Sequence, residues 1–79
     1  MGRKEKLLKK FLERPESLRY RQVKLILLWL GVKKVPAKGS HVRFIREDCN
    51  VDISIPVHNN DCFKFYKKKI AKIIKEKFL

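Results

Sequence analysis

His41-Val42-Arg43-Phe44-Ile45-Arg46 and Val51-Asp52-Ile53-Ser54-Ile55-Pro56 flank a polar break, Glu47-Asp48-Cys49-Asn50. Both runs alternate, which is the period of a half-buried strand. Val42 and Phe44 share one face of the first, and Val51, Ile53 and Ile55 share one face of the second. The polar break between them predicts a hairpin with one covered face and one wet face. His41, Arg43, Ile45, Asp52 and Ser54 fall on the face away from the cover. Pro56 is expected to end the pairing.

Just upstream, residues 33–37 read as a third strand. Pro36 confines it to an edge, because proline donates nothing to a ladder. Lys38-Gly39-Ser40 is the turn between the two. Before that, residues 20–30 read as a helix with Val23, Ile26, Leu27 and Leu30 inward. Leu25, Leu28 and Trp29 are expected to widen its buried surface beyond half the girth. Gly31 stands where a left-handed residue closes a helix. The start is weakly signalled, since Ser17 is early for an N-cap and Arg19 is a poor one. Residues 4–13 form a further helix with Leu7, Leu8, Phe11 and Leu12 as its stripe, stopped by Pro15.

Downstream, His58-Asn59-Asn60-Asp61 reads as a loop and residues 63–77 as the last helix. Phe63, Tyr66, Ile70, Ile73 or Ile74, and Phe78 are expected inward. Lys67, Lys68, Lys69, Lys72 and Lys75 are expected to cover the solvent side. The order α-α-β-β-β-α predicts an α+β fold, a three-stranded antiparallel sheet with helices packed on one face. Seventy-nine residues allow one domain, with 1–16 as N-terminal helix and connector and 17–79 as core.

The chain has 21 Lys and Arg against 8 Asp and Glu, a net charge of +13. That balance calls for a polyanionic partner: nucleic acid, an acidic protein or an acidic membrane surface. Cys49 and Cys62 read as reduced thiols, which suits a cytoplasmic setting. No secretory leader is expected, and the run Leu25–Leu30 is too short to span a bilayer. His58 and Cys62 make one His-x-x-x-Cys pair, short of the four ligands of a structural zinc. The carboxylates Glu47, Asp48, Asp52 and Asp61 form no evident metal-binding pair. No metal and no cofactor are therefore expected.

His41 is the best candidate for chemistry. Metal-free RNA cleavage takes a proton from a 2′-hydroxyl and gives one to the leaving 5′-oxygen, and one imidazole serves either step near neutral pH. Lys38 and Arg43 flank it and would hold phosphate. Ser40 is a turn residue able to donate to phosphate, and no nucleophile elbow surrounds it. His58 would be a second acid–base group, a phosphate contact or a polar loop residue. The aromatic residues fall in helical stripes and read as core, so no stacking platform is expected on the sheet. These observations leave three readings open: a ribonuclease, a non-catalytic RNA-binding module of the same fold, and a basic partner for an acidic protein or membrane.

Three segments resemble the HicA family of small mRNA-interferase toxins. They are Trp29-Leu30-Gly31, Lys38-Gly39-Ser40-His41-Val42-Arg43-Phe44 and Ile53-Ser54-Ile55-Pro56-Val57-His58-Asn59. The chain departs from that family at the start of the last helix, where Phe65-Tyr66 replace a Gly-Thr pair. The resemblance implies a double-stranded-RNA-binding-like fold and metal-independent endoribonuclease activity on mRNA. It also implies a type II toxin–antitoxin pair with an acidic HicB-like antitoxin, and it places the family's catalytic histidine on His41.

Overall fold

The two alternating runs pair as their pattern demands. In the computed structural model, which describes residues 2–79, β2 (His41–Arg46) lies antiparallel to β3 (Val51–Pro56). Opposed pairs Val42–Ile55, Phe44–Ile53 and Arg46–Val51 set the register. A single 3-10 turn at Glu47–Cys49 joins the strands, and Asn50 closes it in the left-handed region at φ 57°. Asparagine tolerates that conformation better than most residues. β1 (Lys33–Pro36) pairs antiparallel with β2 at the sheet edge, one residue shorter than expected. Pro36 supplies no N–H to continue it.

Three helices cover one face of this sheet. They are α1 (Arg3–Glu13), α2 (Tyr20–Trp29) and α3 (Lys64–Phe78), and a 3-10 turn at Pro15–Ser17 separates α1 from α2. The core joins Phe11 of α1, Val23, Ile26 and Leu27 of α2, and Ile70, Ala71 and Ile74 of α3 to Phe44, Val51, Ile53 and Ile55 of the sheet. Leu18 and Val32 enter it from the connectors. His41, Arg43, Asp52 and Ser54 are exposed on the opposite face, with Ile45 half-buried beside them. The fold is thus α+β, with the expected element order and an open sheet face.

Helix α2 is pinned at both ends by polar contacts. At its start, Gln22 Oε1 accepts the Arg19 N–H at 3.0 Å, and Asp61 Oδ1 accepts the Tyr20 N–H at 3.0 Å. Gln22 is the local part of this cap, and the partner for the Tyr20 N–H comes from a residue beyond the sheet. Ser17 does not cap α2, because its hydroxyl donates to the Arg14 carbonyl at 2.7 Å. At its end, the Val32 N–H reaches the Leu27 carbonyl and the Gly31 N–H the Leu28 carbonyl, with Gly31 at φ 78°. This is the Schellman arrangement that glycine permits at C′. The Arg46 guanidinium also donates to the Leu30 carbonyl, grips Asp48 at 2.9 and 3.1 Å, and lies over the Phe78 ring.

Several burial expectations are corrected. Leu25, Leu28 and Trp29 are exposed at 39, 44 and 37 %, so α2 buries a narrow stripe. The helix lies between sheet and solvent, and on its outer side Lys4 of α1 sits 5.6 Å from the Trp29 ring. Phe63 and Phe65 are exposed at 66 and 67 %, whereas Lys67, expected in solvent, is buried. The helix begins at Lys64, and its inward stripe runs through Lys67, Ile70, Ala71 and Ile74. Phe63 stands outside that stripe in extended backbone.

Phe11 has no exposed surface and anchors α1 to the core. Phe11→Ala should lower the unfolding free energy by about 3–5 kcal/mol. Leu28→Ser should change it by less than about 1 kcal/mol. Urea midpoints measure both, and equal shifts would remove α1 from the cooperative core.

Candidate functional site

The sheet end that carries the β1–β2 turn gathers four of the five candidate residues. Gly39 takes φ 66°, a conformation that suits glycine, and lets the chain reverse between Lys38 and Ser40. The His41 N–H closes on the Lys38 carbonyl at 3.3 Å. Pairing does not stop at Pro56, as the Val57 N–H bonds the Ser40 carbonyl at 3.0 Å. His41 therefore opens β2 directly across from Pro56, exposed on the open face. Lys38 and Ser40 are exposed beside it in sequence.

Beyond Val57 the chain makes a tight turn rather than a loose loop. His58 and Asp61 exchange both backbone hydrogen bonds, at 2.8 and 3.0 Å. Asn59 and Asn60 between them have φ 54° and 60°. Two consecutive positive-φ residues characterise a type I′ turn, and its twist matches that of paired strands. His58 lies two residues past the cross-strand partner of His41, roughly 7 Å along the strand direction. Both imidazoles thus occupy the same end of the sheet.

Arg43 has the same facing as His41 but is engaged. Its Nε donates to Asp52 Oδ1 at 2.8 Å and its terminal nitrogen to Oδ2 at 2.6 Å. The hydrogen bond from Arg43 holds the Asp52 carboxyl below its ordinary value, with the charge attraction adding to it against desolvation. This side-on clasp uses one edge of the guanidinium, and its other N–H groups have no partner among the described residues.

A cleft of about 430 Å³ opens beside His58, lined by Arg19, Pro56, Asn59, Asp61, Cys62 and Phe63 as well. Asp61 organises it. Its Oδ1 accepts the Tyr20 N–H, the Cys62 N–H at 2.9 Å and the Lys67 ammonium at 3.0 Å. Partial burial disfavours ionisation of Asp61, but the bonds from Lys67, Cys62 and Tyr20 together outweigh it and hold the carboxyl below its ordinary value. Burial pushes the Cys62 thiol up, Lys67 opposes this and Asp61 reinforces it. Cys62 is thereby kept as the weakly nucleophilic thiol. Among the described residues no three His, Cys, Asp or Glu side chains converge as a metal site, so His58 and Cys62 gain no third ligand.

Sequence reasoning missed Arg19 and Phe63. In sequence Arg19 reads only as a poor helix cap, and its nearness to His58 follows from the Tyr20–Asp61 bond across 41 positions. Phe63 carries a local signal: it precedes the helix after a turn, where an aromatic need not join the buried stripe. What the site offers is an exposed imidazole at a backbone-bonded turn, a second exposed one at the same end of the sheet, and Lys38 and Arg43 on either side of His41 in sequence. Such a set can move a proton and hold an anion.

A family model for the HicA toxin of bacterial toxin-antitoxin pairs matches residues 20–75, more than two thirds of the chain. The match takes in all five candidate residues and leaves out α1 and its connector. No curated protein and no solved structure matches the chain.

The Asp61–Lys67 pair yields a stability test. Asp61→Ala strips the cap from α2 and leaves a buried ammonium unpaired, and should cost about 2 kcal/mol. Lys67→Met fills the same space without a charge and should cost less than half as much. Because folding lowers the Asp61 pKa, its contribution is complete above the ordinary aspartate value of about 4 and fades as pH falls through the folded value. Urea unfolding of wild type and Asp61→Ala at pH 7 and at pH 3 should show the gap narrowing in acid. A gap that is constant with pH would mean the carboxylate charge is not what stabilises the turn.

Proposed function

Because the chain belongs to the HicA toxin family, the toxin half of bacterial toxin-antitoxin pairs, we propose that it is a metal-independent endoribonuclease acting on mRNA. The observation that carries this reading is His41, an exposed imidazole on the first residue of β2, held by a backbone turn and facing away from the core. A histidine so placed is free to meet substrate, whereas one on the covered face would serve packing.

In the proposed reaction the 2′-oxygen attacks the adjacent phosphorus and the bond from phosphorus to the 5′-oxygen breaks. One proton leaves the 2′-hydroxyl and one joins the 5′-oxygen, giving a cyclic phosphate and a free 5′-hydroxyl. His41 carries one of these transfers as general acid or base. Lys38 and the remaining N–H groups of Arg43 hold the phosphate, Ser40 donates to it, and His58 meets the strand at the neighbouring position. No step draws on a metal ion.

A nuclease of cellular mRNA must be silenced in its host. An acidic antitoxin of the HicB type would be steered to a surface of charge +13 and would block cleavage by covering His41 and Lys38.

His41→Ala should retain the wild-type unfolding midpoint and lose on the order of 10²–10⁴ in cleavage rate. Wild-type activity should persist in EDTA. A folded His41→Ala protein that cuts RNA at the normal rate would remove this residue from the mechanism, and rescue by magnesium after chelation would overturn the metal-free chemistry.

Co-expression with the acidic protein of the pair should give an inactive complex in which the amides of residues 39–44 exchange more slowly than in the free chain. Silencing without that protection would place the inhibitor elsewhere.

A further inference from the structure

Two clefts meet at Arg19 and Asn59, which line both. The first contains Pro56, His58 and Phe63, and the second contains Arg21, Lys24 and Asn60. Together they form a path from the His41 end of the sheet across the start of α2. Arg19, Arg21 and Lys24 line it, and none of them enters an ion pair among the described residues. The one carboxylate on the path is Asp61, whose charge is matched by Lys67. The path is therefore cationic over the start of α2, and Arg19 carries that charge to the junction with the Phe63 cleft.

Phe63 is the unexpected wall. Its ring is 66 % exposed, although an aromatic side chain gains by leaving water. The backbone explains the placement. Phe63 is the extended residue before α3, and its carbonyl accepts the Tyr66 and Lys67 N–H groups. The helix start is thus anchored by main chain while the ring faces the cleft. An exposed ring that shares its cleft with Arg19 and adjoins a cationic one suits an unpaired nucleobase, whose π-face stacks while the phosphates meet the charges.

We infer that this path binds single-stranded RNA, with a base stacked on Phe63 and its phosphates followed by Arg19, Arg21 and Lys24. The inference rests on the nuclease reading for the direction of the strand, which would run from the scissile phosphate at His41 past His58 and over α2. Stacking requires an unpaired base, so the subsite selects single strands over duplex. Every base offers a π-face, so it adds affinity with little preference for sequence.

The test uses the full chain and a fluorescent 2′-O-methyl RNA octamer, which has no attacking hydroxyl and cannot be cut. Anisotropy titrations compare the wild type with Phe63→Ala, Phe63→Trp and the double variant Arg21→Ala with Lys24→Ala. Phe63→Ala should bind about tenfold more weakly with an unchanged salt dependence. Phe63→Trp should bind at least as tightly as the wild type, with quenching of the added indole. The double variant should flatten the slope of log affinity against log salt by about 1.4, from two phosphate contacts. A blunt RNA duplex should not distinguish Phe63→Ala from the wild type. Equal octamer affinity for Phe63→Ala and wild type would overturn the subsite, leaving Phe63 as a contact for a protein partner. Cleavage of unmodified RNA is measured alongside. Normal cleavage by Phe63→Ala at every substrate concentration overturns the subsite and spares the nuclease reading. Phe63-dependent binding by a wild type that cuts nothing overturns the nuclease reading and spares the subsite.

Discussion

Asp61 Oδ1 accepts two hydrogen bonds, from the Tyr20 N–H and the Cys62 N–H, and pairs with the Lys67 ammonium at 3.0 Å. These donors belong to the start of α2, the approach to α3 and the buried face of α3. Without that oxygen, α2 would lack the partner for its first N–H and Lys67 would be an unpaired ammonium in the interior. Both faults would fall at the place where the sheet end meets the helices. The same contact brings Arg19 beside His58, so the cleft is a consequence of a capping bond. The type I′ turn at Asn59-Asn60 sets the carboxylate in position, because the two backbone bonds between His58 and Asp61 leave little freedom.

The far end of α2 depends on a second polar centre. Arg46 bonds the Leu30 carbonyl, Asp48 and, through its charge, the face of Phe78. Gly31 lies directly against it, and a Cβ there would stand 3.1 Å from the guanidinium. The glycine therefore answers two demands, a positive φ and a close neighbour. Between these two polar ends, packing of Val23, Ile26 and Leu27 on the sheet does the remainder.

Charge is distributed unevenly by these contacts. Asp48, Asp52 and Asp61 each engage a cation, namely Arg46, Arg43 and Lys67. These three aspartates are thereby matched, and Lys38, Arg19 and Arg21 are left exposed, with Lys24 half-buried over the Tyr20 ring. A polyanion approaching this end of the molecule meets little opposing charge. The Arg43–Asp52 clasp holds the Arg43 guanidinium in one orientation through two parallel hydrogen bonds.

The element order, the antiparallel sheet, its register of inward residues and the exposure of His41 were legible in the chain. Alternation in 41–46 and 51–55 admits only one covered face, and Gly31, Gly39 and Pro36 mark boundaries through backbone sterics alone. What local pattern misjudged were Leu25, Leu28, Trp29, Phe63, Phe65 and Lys67. Hydrophobic periodicity reports which side chains could be buried, whereas burial requires a neighbour, and this chain has too few elements to surround α2. Lys67 is inside because Asp61 waits for its ammonium, a pairing set by a turn six residues earlier in the sequence and by the packing of α3. That His41 and His58 lie at the same end of the sheet follows from strand register, which sequence could suggest. The cleft with Arg19 and Phe63 was decided only in three dimensions, because a bond across 41 positions between a backbone N–H and a carboxylate leaves no periodic trace in the sequence.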